Sequence, residues 1–136
     1  MQSEGKVLVI DNGLELASTV RDAARFSTWE YITASEQKEA MMKVLAERPE
    51  VIVLGYMEPR GTSFKVHVLL KENDDTADIP QVVVDVAPEE QAARGWRKNE
   101  GILMDAEEYL CQPLTPEELG EVIERTLARV KVTDVI

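Results

Sequence analysis

Three short apolar runs punctuate the chain: Val7-Leu8-Val9-Ile10, Val51-Ile52-Val53-Leu54 and Val82-Val83-Val84. None alternates polar with apolar. Continuous β-branched runs of this length suit central parallel strands, covered by helices on both faces. Glu30 to Thr33 and Glu108 to Cys111 fit weaker strands. Between the runs the apolar period becomes helical. Leu16, Val20, Ala23 and Ala24 share one face. Ala40, Met41, Val44 and Leu45 share another, in a segment that Ser35 would cap and that cannot continue past Pro49. Phe64 to Lys71 predicts a third helix, and Pro88 opens a fourth that runs to about Arg97. Thr115-Pro116-Glu117-Glu118 joins a capping box to a proline at the first helical position. Leu119, Val122, Ile123, Leu127 and Val130 then form the apolar stripe of the last helix.

The order is strand then helix, five times over. Such alternation predicts right-handed crossovers and a parallel sheet between two helical layers. At 136 residues the chain is read as one domain, with a core over about residues 6–131 and a short tail over residues 132–136. In an open parallel sheet, function gathers beyond the carboxyl ends of the strands. Those positions are Asp11 and Asn12 after the first strand, Gly55 after the third, Asp85 after the fourth, and Gln112, just before Pro113, after the fifth. The topology would bring them to one shallow pocket.

Charge narrows the partners. Twenty-six acidic and 15 basic residues give a net charge of −11. No basic patch is broad enough to displace phosphate counterions, which argues against nucleic acid and against an anionic membrane surface. The single cysteine, Cys111, sits in an apolar run and is read as a small buried hydrophobe. The N-terminal apolar run is too short for a signal peptide, and no stretch approaches the ~20 residues that span a bilayer. A cytoplasmic protein is expected.

Five segments in order carry a resemblance: Lys6-Val-Leu-Val-Ile-Asp11, Pro49-Glu-Val-Ile-Val-Leu54, Met57-Glu58-Pro59, Ile79-Pro80, and Tyr109-Leu-Cys-Gln-Pro113 running into Thr115-Pro-Glu-Glu-Leu119. Over Lys6 to Lys131 the chain resembles the CheY-like receiver domains of bacterial response regulators. That resemblance implies a flavodoxin-like (βα)5 fold with strand order 2-1-3-4-5. Where it departs from the family, it departs at the chemistry. The phosphoacceptor aspartate is replaced by Gly55, the second acidic residue after the first strand by Asn12, the switch Ser or Thr by Asp85, and the lysine before the last proline by Gln112. Val86 is bulkier than usual, and Ser63 stands for the glycine opening the third helix. Tyr109 matches the aromatic switch position.

Acyl-phosphate chemistry needs a carboxylate nucleophile, clustered carboxylates for Mg²⁺ and a lysine for the phosphoryl oxygens. Asp11 without a carboxylate at Asn12 or Gly55 is a poor Mg²⁺ site, and Asp85 belongs to a different strand end, so neither metal nor cofactor is expected, and no catalytic residue. Asp85 has two readings, a mimic of the phosphoryl charge or a solvated strand-end carboxylate, with the second favoured. His67 is read as a packed or half-exposed helix residue, and Trp29 as edge packing. Trp96 and Arg97 lie in the densest basic patch, Arg94-Gly95-Trp96-Arg97-Lys98, where core packing and partner contact stand level. The resemblance implies an output face on the fourth helix, fifth strand and fifth helix, with Tyr109, Trp96 and Arg97 as candidates. It also implies about one helical turn of extra chain near Asn99 to Asp105. The expected function is a stand-alone, phosphorylation-independent receiver that binds a signalling partner or itself. Two alternatives are a working receiver phosphorylated on Asp11 or Asp85, and a small-ligand binder on the same fold. Against a flavin, Asp11-Asn12-Gly13-Leu14-Glu15 sets acidic side chains where a phosphate would lie.

Overall fold

The computed structural model describes residues 5–13 and 15–135, with side chains as far as Val130. Five parallel strands are β1 (Lys6–Ile10), β2 (Glu30–Ala34), β3 (Val51–Leu54), β4 (Gln81–Asp85) and β5 (Glu108–Cys111). They lie in the order β2-β1-β3-β4-β5, as expected. The helices are α1 (Glu15–Ala24), α2 (Gln37–Glu47), α3 (Thr62–Glu72), α4 (Lys98–Leu103) and α5 (Pro116–Val135).

Each central strand feeds two cores. Val7, Val9, Val51, Val53, Val82 and Val84 face α1 and α5, meeting Leu16, Val20, Leu119 and Ile123. Leu8, Ile10, Ile52, Leu54 and Val83 face the other way, toward α2 and α3, with Val44, Val66, Leu70 and Trp96. This two-sided burial is why the strand sequences are apolar throughout. Trp29 is buried in the first core beside the edge strand β2.

Caps decide several boundaries. Thr115 Oγ1 accepts the Glu118 N–H at 3.1 Å and so opens α5. That helix continues to Val135, through most of the segment expected to be a tail; Ile136 lies outside the described residues. Ser35 does not cap α2: the helix starts at Gln37 after Glu36, and the Ser35 N–H is instead taken by Glu39 Oε1 at 2.7 Å.

The fourth helix differs most from expectation. Pro88–Glu90 forms one 3-10 turn, turns follow, and α4 begins only at Lys98. A helix through Arg97 would bond the carbonyls of Gln91 and Ala92 to the N–H groups four residues on. Both carbonyls are taken by the Arg60 guanidinium, at 2.9 and 3.3 Å, and its Nε adds the Gly95 carbonyl at 3.1 Å. The Trp96 N–H goes to Asp85 Oδ1 at 3.1 Å. Gly95 itself has φ +93°, a left-handed conformation. A Cβ there would stand 2.5 Å from Asp85 Oδ1. Asn99 to Leu103 are helical, while residues 86–97 hold only the 3-10 turn.

His67 is fully packed. Its Nε2 accepts the Asp105 N–H at 2.9 Å, so the proton sits on Nδ1, which donates to Gln81 Oε1 at 2.7 Å. Burial pushes its pKa below the usual value, so the ring is neutral at pH 7. Among the described residues no helix is long and apolar enough to cross a membrane.

Candidate functional site

All five expected pocket residues meet. Asp11, Asn12, Gly55, Asp85 and Gln112 line a cleft of about 190 Å³ at the carboxyl end of the sheet. Each plays a different part.

Gly55 is a point of close approach. An added Cβ would stand 2.6 Å from Leu16 Cδ2, 3.0 Å from Asp11 Oδ1 and 3.2 Å from Asp11 Cβ. Leu16 belongs to the core and is almost fully buried, so it has little room to retreat. The first turn of α1 therefore occupies the space that a side chain at residue 55 would need. Ser63, at the start of α3, is buried beneath this point. Its hydroxyl donates to the Gly55 carbonyl and accepts the Met57 N–H, each at 2.8 Å. It thus fixes the turn that leaves β3.

Asn12 clamps two loops. Its amide donates to the Glu58 carbonyl at 3.2 Å and accepts the Glu58 N–H at 3.3 Å. A carboxylate could make only the second of these bonds. Gln112 lines the cleft as a neutral side chain, and its N–H continues the ladder to the Asp85 carbonyl at 3.0 Å.

Asp11 is the cleft acid with a raised pKa. Burial raises its pKa to about 6, although the N–H groups of Gly13 and Leu16 pull the other way. A folded-state value above the ordinary 3.8 means that the native state holds this proton more tightly than the unfolded chain. Stability from this group is present at low pH and is lost as pH rises from about 4 through about 6. Asp11→Asn should therefore stabilise the fold at pH 7.5. The expected gain is roughly 1 kcal/mol, well below the full value of the shift because the cleft is open to solvent. The gain should vanish below pH 4. Urea melts at both pH values measure it, and equal midpoints at pH 7.5 would contradict it.

Asp85 is neither solvated nor aimed at an empty site. It is 1% exposed. Oδ1 accepts the N–H groups of Val86 at 2.8 Å and Trp96 at 3.1 Å, and Oδ2 accepts the Tyr109 hydroxyl. Burial, and then the carboxylate, hold the Tyr109 phenol well above its usual range. The residue thus ties the end of β4 to residues 86–97 and to β5.

Arg94 was not legible as a cleft residue. It comes from the irregular stretch after β4, pairs with Glu90 at 3.0 Å and lies 4.9 Å over the Tyr56 ring. Tyr56 in turn donates to Glu58 Oε2 at 3.0 Å. Arg94 lowers the Asp11 pKa, against burial. It supplies a cation at the rim, from a different element than β5. Its place in a basic run was visible in sequence, but its direction depends on Gly95 and Arg60. Among the described residues no three His, Cys, Asp or Glu side chains cluster as metal ligands.

The interaction candidates separate. Tyr109, Trp96 and Arg97 all line a second, larger groove of about 710 Å³. Trp96 is only 6% exposed, however, with its ring edge-on to Phe64 and His67. Core packing wins for that residue. Tyr109 is partly exposed, and about half of the Arg97 side chain is open to solvent.

No family model matches the chain. It is 24% identical over 123 residues to the phosphate regulon transcriptional regulatory protein PhoB of Pseudomonas aeruginosa. That match covers 90% of this chain and 52% of PhoB, so the chain spans about half the length of that relative. It is 27% identical to protein PilG of the same organism, over 87% of this chain and 84% of PilG. The chemotaxis response regulator CheY4 of Vibrio cholerae superposes with a TM-score of 0.71 at 23% identity, over 93% of this chain and 99% of CheY4. Fold and likeness together describe a domain of the receiver type, similar to the response regulators named above.

Proposed function

We propose that this receiver domain works without phosphorylation, as a protein-interaction module in two-component-type signalling. One observation carries the reading. Leu16 and Asp11 fill the space beside Gly55, so the cleft lacks both a nucleophile there and room for one. Gln112 in place of a cation and Asn12 in place of a second acid point the same way. The chemistry of acyl-phosphate formation has no centre here. A ligand-binding role has less support, since about 190 Å³ is smaller than ordinary small-molecule pockets. We assign the partner surface to the groove beside α4 and β5, away from the cleft. Nucleic acid and membrane surfaces are disfavoured as partners by the net charge of −11.

Incubation with acetyl phosphate and Mg²⁺, followed by intact-mass measurement, tests the reading. No phosphoryl mass should appear. A stoichiometric, base-labile adduct would overturn it, and loss of that adduct in Asp11→Asn would identify Asp11 as the acceptor.

A further inference from the structure

We infer that copies of this chain associate head to tail, the Phe26 corner of one seating in the α4 groove of the next. Phe26 follows α1 and is 94% exposed, the most exposed large hydrophobic side chain among the described residues. Around it stand Asp22, Glu117, Glu121 and Glu124, with Arg25 as the nearby cation. The patch is an aromatic knob in an acidic setting. The groove has the opposite character. The charged residues lining it are Arg60, Arg97 and Lys98, all basic, in a chain whose net charge is −11. Arg60 is engaged with loop carbonyls, so the groove's outward charges are Lys98 and Arg97, which is half exposed though paired with Glu100 at 3.3 Å. Beside them lie Ile102, 75% exposed, and the ring of Tyr109. An apolar knob with acidic neighbours matches an apolar groove with basic ones in shape class and in sign.

Position excludes a two-fold arrangement. The Phe26 corner belongs to the α1 and α5 layer, while Trp96 and Met104 place the groove on the α3 layer's side. The two patches thus lie on opposite sides of the sheet. One partner cannot meet both at once, so the contact is heterologous and propagates into a ring or an open chain. The inference rests on reading the domain as an interaction module. The two fail separately: a phosphorylated chain leaves this contact untouched, and a monomeric chain leaves the cleft argument untouched.

Sedimentation velocity over a concentration series at low and high salt tests it. The wild type should form species larger than dimers, weakened by salt because the flanking charges are exposed. Phe26→Arg and Ile102→Glu should each weaken association at least about tenfold, since each removes an apolar anchor and sets a charge against the like-charged patch it would face. Both sites are solvent-exposed, and far-UV circular dichroism verifies the fold. An equimolar mixture of the two variants is decisive. Phe26→Arg keeps its groove and Ile102→Glu keeps its knob, so the mixture should form a 1:1 pair that grows no further. A wild type that stays monomeric throughout would overturn the inference. So would a wild type limited to dimers, or a Phe26→Arg variant that associates as well as the wild type.

Discussion

Gly55→Asp should destabilise the domain by about 2–4 kcal/mol at pH 7.5. Overpacking a close-packed site costs about 1–3 kcal/mol. The added Cβ would meet Leu16 Cδ2 at 2.6 Å and Asp11 Oδ1 at 3.0 Å. A second carboxylate beside Asp11 adds like-charge repulsion, and Asp11 is already held up at about 6 by burial. Urea unfolding should show the loss shrinking by pH 5, where Asp11 takes up its proton, yet not disappearing, because the steric part has no pH dependence. The same substitution in a Leu16→Ala background should cost less than in the wild type, since the occupied volume is gone. An unchanged unfolding midpoint for Gly55→Asp would mean that the cleft is roomier than the structure has it.

Asp85→Ala should cost about 3 kcal/mol or more. The substitution strands three donors: the N–H groups of Val86 and Trp96 and the Tyr109 hydroxyl. A buried donor left without a partner costs about 1–3 kcal/mol, and the Val86 and Trp96 residues that carry the two amides are both buried. Asp85→Asn keeps one acceptor oxygen and should lose about 1 kcal/mol. Chemical denaturation of both variants supplies the comparison. If Asp85→Ala lies within about 0.5 kcal/mol of the wild type, the carboxylate is not the anchor of that segment.

The sheet was readable because each central strand is apolar on both faces, a pattern that few other settings produce. The order of elements followed from the alternation of short apolar runs with helical periods. The carboxyl ends of the strands then located Asp11, Asn12, Gly55, Asp85 and Gln112 before any coordinates. Their roles were less legible, because each depends on contacts distant in sequence. Asp85 looked like a solvated residue at a strand end, and only the fold of residues 86–97 over it reveals three hydrogen bonds. Residues 88–97 carry a proline start and ordinary helix formers, so local propensity suggested a helix. Arg60, far back in sequence, takes the carbonyls such a helix would need. Trp96 stood in a basic run and could have faced either way; Phe64 and His67 receive its ring.

Residues 86–97 are braced by opposite charges from two directions, with Arg60 gripping carbonyls and Asp85 gripping amides. Such a strut has no hinge of its own. Arg94 at one point leans over the cleft, while Trp96 and Arg97 a step later form a wall of the groove. Cleft and groove therefore share one support: Arg94 over the Tyr56 ring and Arg97 on the groove wall stand three residues apart on the same braced segment.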